Sequence, residues 1–340
     1  MPTVRCSICH TEFTSIAEYD AYRCAHADHD FSDVPYQFDH SRGAQYTILV
    51  AGPPEAGKSY FIYSLLYELL DQDNRHLRDF FYRQGFHIEL ISDKARTQYE
   101  LFRRRLFSSP LDLTNPIDPQ NRTPILLKIT KNGRQRQQIK LCFFDISGEN
   151  FTGAGAIEFI NNEARIHKAK GIIYLQDPFT DEGLNSLLAN NNPEHIYDNN
   201  YILDNIFRSI KRKQSRKAQK LDIPLAFCVS MFDLLEHNIP NRIAPNPYLE
   251  LVDLVNGEGQ FNKAAVRRKS KEIEQLISEH TKVDLYDLRN KYQRQRFFSI
   301  SAIGHDDVDD IAHRGIQSKG VLAPLLWILA ERGFIEQYKY

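Results

Sequence analysis

Residues Gly52-Pro53-Pro54-Glu55-Ala56-Gly57-Lys58-Ser59 spell G-x4-G-K-S. Glycines at these positions let backbone N–H groups close around phosphate oxygens, and a helix that starts here adds its partial positive charge. The expected phosphate ligands are Gly52, Glu55, Ala56, Gly57, Lys58, Ser59 and Tyr60, with the Lys58 ammonium on the β and γ phosphates and the Ser59 hydroxyl on Mg2+. The context fits. Gln45 to Ala51 is short and rich in β-formers, and Phe61, Ile62, Leu65, Leu66, Leu69 and Leu70 recur at the three and four residue steps of a helix with one buried face. Such a site also needs a carboxylate for the metal at the end of a buried strand. The run from Ile139 to Ser147 ends in Asp145-Ile146-Ser147-Gly148-Glu149, a D-x-x-G-E sequence. Asp145 is the candidate that holds Mg2+ through a water, and the Gly148 N–H is the candidate that meets a γ-phosphate and moves when it leaves.

With these two motifs in order, the chain resembles the G domains of TRAFAC GTPases, the translation-factor and Ras-like class. Two later stretches extend the likeness. Ile223 to Val229 reads as a buried strand leading into Ser230-Met231-Phe232-Asp233, which resembles the guanine-reading N/T-K-x-D motif. The resemblance puts Asp233 where a carboxylate accepts from guanine N1 and N2. Phe297 to Ile300 runs into Ser301-Ala302-Ile303-Gly304, similar to the S-A-K/L turn whose backbone meets guanine O6. Met231 stands where lysine is usual and Ser230 where Asn or Thr is usual; an unbranched thioether can still lie over a purine face. More narrowly, D-x-x-G-E, the Lys170 to Phe179 segment with Asp177-Pro178, and a cysteine-rich front end resemble the bacterial double-GTPase proteins of conflict and signalling gene clusters. The likeness spans residues 45–333 and implies a Mg2+-dependent switch that binds GTP and GDP and hydrolyses slowly without a partner. In that class a threonine ahead of the edge strand is a second Mg2+ ligand. Thr114, in Pro110-Leu111-Asp112-Leu113-Thr114, is preferred, with Thr123 the alternative. Glu149 takes the place of a glutamine that orients the attacking water, which makes Lys58, Glu149 and Thr114 the catalytic candidates. Arg103, Arg104 and Arg105 could supply a charge-stabilising finger, although an arginine run is more often a solvated helix face.

A second chemistry is written at the front. Cys6 and Cys9 form a C-x2-C knuckle, and Cys24 follows with His26 and His29 behind it. Three thiolates and one of the two imidazoles make a closed tetrahedral Zn2+ site, which would staple a segment too short to fold on a core alone. The spacing is not that of a nucleic-acid-reading finger, where a histidine would come about twelve residues after the second cysteine, a place held here by Tyr22. Five cysteines, an odd number, fit reduced thiols and a metal better than disulfides. The expected organisation is a zinc knuckle or ribbon at 1–30, a linker at 31–44, and a P-loop domain at 45–340 with an insertion at about 236–294.

The elements that must position these groups read as α/β. Phe86 to Ile91, Pro124 to Thr130 and Gly171 to Leu175 are further β-rich runs with helical segments among them, which argues a mostly parallel P-loop NTPase sheet with helices on both faces and ligand loops at its carboxyl edge. Lys131-Asn132-Gly133-Arg134 reads as a hairpin turn, and Val321 to Arg332 as a core helix stopped by Gly333. Hydrophobic residues at 42% and charged residues at 26% exclude wholesale disorder, and a net charge of −1 gives no global field for nucleic acid or an anionic membrane. A local patch from Arg208 to Lys220 could still dock either one, or an acidic partner; a charged helix end is the commoner reading. Protein partners are expected through the switches, the insertion or the zinc module. The start is polar and the longest apolar run is too short for a bilayer, so the expected compartment is the cytoplasm. Two alternatives stay open: an ATP-using P-loop protein, and a zinc-containing adaptor whose G-like domain binds nucleotide without turnover.

Overall fold

The structure is a computed structural model and describes residues 4–5, 12–13, 44–70, 75–90, 96–97, 99–101, 125–131, 137–145, 148–152, 155–162, 164–167, 169–188, 195–213, 219–236, 238–239, 246–256, 259–304 and 317–336. Strands β1 (Val4–Arg5) and β2 (Glu12–Phe13) form a two-stranded antiparallel sheet with Val4 opposite Phe13. The main sheet has seven strands in the order β4-β5-β6-β3-β7-β8-β9. They are β3 (Ala44–Ala51), β4 (Phe86–Leu90), β5 (Ile125–Lys131), β6 (Gln137–Asp145), β7 (Ala169–Gln176), β8 (Leu225–Val229) and β9 (Gln295–Ser299). From β6 to β9 all neighbours are parallel, while β5 runs antiparallel to both β4 and β6. This is the mostly parallel α/β sheet of a P-loop G domain, widened by β4 at one edge. The expected antiparallel pair is present, with Lys131 opposite Gln137 across the turn.

Alternation along β3 explains why both faces are covered. Ile48 and Val50 enter one core with Phe61, Leu65 and Leu66 of α1 (Lys58–Leu70) and with Leu325, Leu326 and Trp327 of α11 (Leu322–Glu331). Leu49 and Ala51 enter the other with Ile202, Ile206 and Ile210 of α7 (Asn199–Lys213) and Ile273, Leu276 and Ile277 of α9 (Lys263–His280). A parallel strand buried on both faces reads as a continuous apolar run, as β7 and β8 do. Parallel neighbours also need crossovers. Between β3 and β4 the chain forms α1 and α2 (Arg75–Arg83); between β6 and β7 it forms α3 (Glu149–Thr152), α4 (Ala156–Asn162) and α5 (Ala164–His167). Next come α6 (Glu182–Asn185) and α7 before β8, then α8 (Leu251–Leu254), α9 and α10 (Leu285–Lys291) before β9. Part of the stretch at 236–294 is therefore the crossover that the β8–β9 pair requires. Helix α11 ends as its sequence indicates: Gly333 has φ 75°, and the Phe334 N–H returns to the Leu329 carbonyl at 2.9 Å. Among the described residues no helix is long and apolar enough to cross a membrane.

Candidate nucleotide site

Because β3, β6, β7, β8 and β9 are parallel, their carboxyl ends lie on one edge of the sheet, where α/β folds place ligands. Ala51 leads into the G-x4-G-K-S loop, and Asp145 closes β6 paired in register with Val50. The loops after β8 and β9 carry Ser230 to Asp233 and Ser301 to Gly304. Adjacent strands thus bring the G-x4-G-K-S loop, the D-x-x-G carboxylate position and the Ser230–Asp233 and Ser301–Gly304 turns to one edge.

The loop's conformation follows from its residues. Gly52 lies so close to β7 that a Cβ there would sit 2.3 Å from the Leu175 carbonyl oxygen. Pro53 and Pro54 have no N–H, so the loop's donors begin at Glu55. Glu55 is held at φ 63° and Gly57 at φ 74°, and the left-handed glutamate is a strained residue of the kind that functional loops retain. The first bond of α1 runs from the Phe61 N–H to the Gly57 carbonyl at 2.8 Å, so the amides ahead of it converge at the positive end of that helix. Lys58 is only 7% exposed, and its ammonium donates to the carbonyls of Gly52 (3.2 Å) and Pro53 (2.5 Å).

Gly148 rests on this loop. A Cβ on it would fall 2.0 Å from the Pro54 nitrogen and 2.3 Å from the Pro53 carbonyl carbon, so D-x-x-G and the phosphate loop touch backbone to backbone. Glu149 follows, exposed, in the first turn of α3. On the base side, Ser230 uses both its N–H (2.9 Å) and its hydroxyl (3.0 Å) to hold the Gln176 carbonyl. Met231 is left-handed at φ 48°, and its Cε lies 3.5 Å from where a Gly57 Cβ would be. Its thioether therefore brings the loop after β8 against the G-x4-G-K-S loop without a charge. Asp233, 7% exposed, sits in a 3-10 turn (Phe232–Leu234), and the Phe232 N–H reaches the Ile300 carbonyl at 3.1 Å. The Ser301 hydroxyl accepts from the Gly304 N–H at 3.0 Å, and the Ser64 hydroxyl of α1 donates to the Ala302 carbonyl at 2.7 Å. Ile303 is half-buried against the core.

Sequence reading assigned no role to the polar groups at the tip of β7. Asp177 is 1% exposed and accepts the Phe179 N–H at 2.9 Å. Burial pushes its carboxyl up to about 7; the Phe179 N–H opposes the rise, Glu55 adds to it, and Lys58 opposes it. Beside it Asp181 caps α6, accepts the Gln176 amide at 2.7 Å, and is also raised by burial. The available signal was a carboxylate just past the apolar run Gly171 to Leu175. Thr114, Thr123, Arg103 to Arg105, Cys6, Cys9, Cys24, His26 and His29 lie outside the described residues. Among the described residues no group of three or more His, Cys, Asp or Glu could hold a metal.

No protein-family model and no curated protein matches the chain. Among solved structures, it is similar to Methanosarcina barkeri Roco2 RocCORdC bound to GDP, at 14% identity and a TM-score of 0.31 over 86% of this chain and 53% of that one. It is also similar to the signal recognition particle receptor SRb-GTP/SRX complex from Chaetomium thermophilum, at 13% identity and a TM-score of 0.36 over 81% and 99% of the two chains. A third is the S. cerevisiae Ski7 GTPase-like domain bound to GDP and inorganic phosphate, at 14% identity and a TM-score of 0.39 over 88% and 52%. The chain spans about half the length of the Roco and Ski7 chains. These superpositions are loose, and the fold is carried by the strand order and by the loops at its carboxyl edge.

Proposed function

We propose that the chain is a Mg2+-dependent guanine-nucleotide switch that hydrolyses GTP slowly, of the kind found in bacterial conflict and signalling clusters. The observation that carries this reading is the junction at Gly57, where the thioether of Met231 in the base-reading loop meets the phosphate loop. The residues present fit the group: a turn with glycine at positive φ, amides gathered at a helix start, and a lysine within reach of the loop. Glu55 to Tyr60 would hold the phosphates, Ser59 and Asp145 the Mg2+ with Thr114 as a further ligand, and Gly148 the γ-phosphate side. Ser230, Met231, Asp233 and Ser301 to Ile303 would surround the base, and Glu149 would accept from the attacking water. Mg2+, when bound, neutralises charge on the phosphates. The zinc knuckle stands beside this as a separate proposal, supported by the pairing of β1 with β2, which flank Cys6 and Cys9 in the sequence.

Equilibrium binding of labelled GTP, GDP and ATP, together with single-turnover phosphate release by wild type and Lys58→Ala, tests the reading. Guanine preference with Lys58-dependent release is expected. An ATP preference would replace it with the adenine reading, and tight GTP binding without release would leave a nucleotide-binding adaptor.

A further inference from the structure

The two base-reading loops are joined by side chains that lie outside the motifs. Glu236 stands one turn past Asp233, with its N–H on the Asp233 carbonyl at 3.3 Å. Its carboxylate accepts from the Lys319 ammonium at 3.2 Å and from the Tyr248 hydroxyl. Lys319 in turn lies opposite Ser301, exchanging both backbone bonds with it at 2.9 and 2.8 Å, and its ammonium sits 5.1 Å above the Tyr248 ring. Tyr248 is buried and presents its edge to Phe232, the residue before Asp233, at 5.9 Å. The surroundings of Lys319 are equally tied: the Ser318 hydroxyl donates to Glu68 of α1 at 2.6 Å, and the Gly320 N–H donates to Glu250 at 3.1 Å. Gly304, at φ 84°, is packed so that a Cβ would meet the Gln317 carbonyl oxygen at 1.8 Å.

We infer that Glu236, Lys319 and Tyr248 form a clamp that fixes the spacing between Asp233 and the Ser301–Ala302 turn, and so sets which base the site accepts. The inference rests on the guanine-nucleotide reading above and names what enforces its selectivity. The three are positioning residues; the clamp acts by holding the two loops that would face the base. Its placement supports this over a purely stabilising role. The Glu236 and Lys319 side chains keep 27% and 36% of their exposure, and an ion pair so exposed adds little to fold stability, yet it spans the gap between the two loops. Met231 brings no charge to that gap, and among the described residues the Glu236–Lys319 pair supplies an ionic tie between the loops.

The test compares equilibrium affinities of fluorescent GDP, IDP and ADP, and competition by inorganic tripolyphosphate, for wild type, Glu236→Gln, Lys319→Met and the swapped pair Glu236→Lys with Lys319→Glu. Tripolyphosphate reads the phosphate loop without the base. The expected result is a fall of about tenfold in the GDP-over-IDP and GDP-over-ADP ratios for each single variant, the size of one lost charge-assisted bond, with unchanged tripolyphosphate affinity and partial recovery in the swap. Unchanged ratios in the single variants overturn the inference. So does an equal loss of tripolyphosphate binding, which would make the clamp a structural brace. Failure of the wild type to prefer GDP would instead remove the guanine reading itself, and the clamp with it.

Discussion

Asp177→Asn is the substitution whose effect follows most directly from the structure. The folded chain holds the Asp177 proton up to about 7, whereas an ordinary aspartate releases it at 3.8. Between those values the folded state binds a proton that the unfolded chain has lost, so stability is full below about pH 4 and falls as pH rises to about 7. At about 1.4 kcal/mol per pH unit, that interval is worth about 4 kcal/mol at neutral pH and above, an upper figure for a carboxylate with Lys58 nearby. Asparagine cannot ionise, and its side-chain oxygen can still accept the Phe179 N–H. Urea unfolding of both proteins without added nucleotide, at intervals from pH 4.5 to 8, gives the difference at each pH. Across this range it should grow by about 3 kcal/mol in favour of the asparagine variant. Asp181 and Glu250, whose carboxyls burial also raises, are present in both proteins and drop out of the difference. A gap that is flat across this range would refute the assignment of a buried, proton-holding carboxyl at the tip of β7.

Gly148→Ala forces a methyl into the Pro53–Pro54 backbone, which cannot yield as a side chain would. Thermal melting should show a loss of about 1–3 kcal/mol, and tripolyphosphate affinity should fall with it. Gly183→Ala places a Cβ 1.6 Å from the His280 carbonyl oxygen, where α6 meets the end of α9, without touching the G-x4-G-K-S residues. It should destabilise by a similar amount, about 1–3 kcal/mol, in urea titration and leave nucleotide affinity at wild-type levels in the folded fraction. For the zinc proposal, metal analysis of the purified chain should give one zinc per chain, lost in Cys6→Ser or Cys9→Ser while GDP affinity is retained.

That the G-x4-G-K-S, D-x-x-G, Ser230–Asp233 and Ser301–Gly304 runs would lie together was legible because each is a contiguous run placed after an apolar strand, and a parallel sheet brings such runs to one edge. The mostly parallel character of the sheet followed from the alternation of β-rich runs with helical segments, and the Asn-Gly pair at 132–133 signalled that β5 and β6 would be antiparallel; the order of the strands did not follow from the sequence. Two features were harder to read. Asp177 was visible as a residue, but its burial beside Lys58 comes from the packing of β7 against β3, which no local pattern encodes. The clamp unites Glu236, Tyr248 and Lys319 from three separate stretches; an ion pair between residues 236 and 319 leaves no periodicity, and a lysine at 319 looks like any solvated cation. The extra edge strand β4 was read as β-rich, but its place beyond β5 depended on a pairing that the sequence does not specify.

The two prolines of the phosphate loop have a consequence for motion. Each ring fixes one torsion, so this wall of the cradle has little freedom left to lose when a phosphate arrives. It behaves as a fixed anvil. In the switch proposed above, displacement on exchange of a triphosphate for a diphosphate would be taken up on the Gly148 side, by sliding or lifting away from that surface.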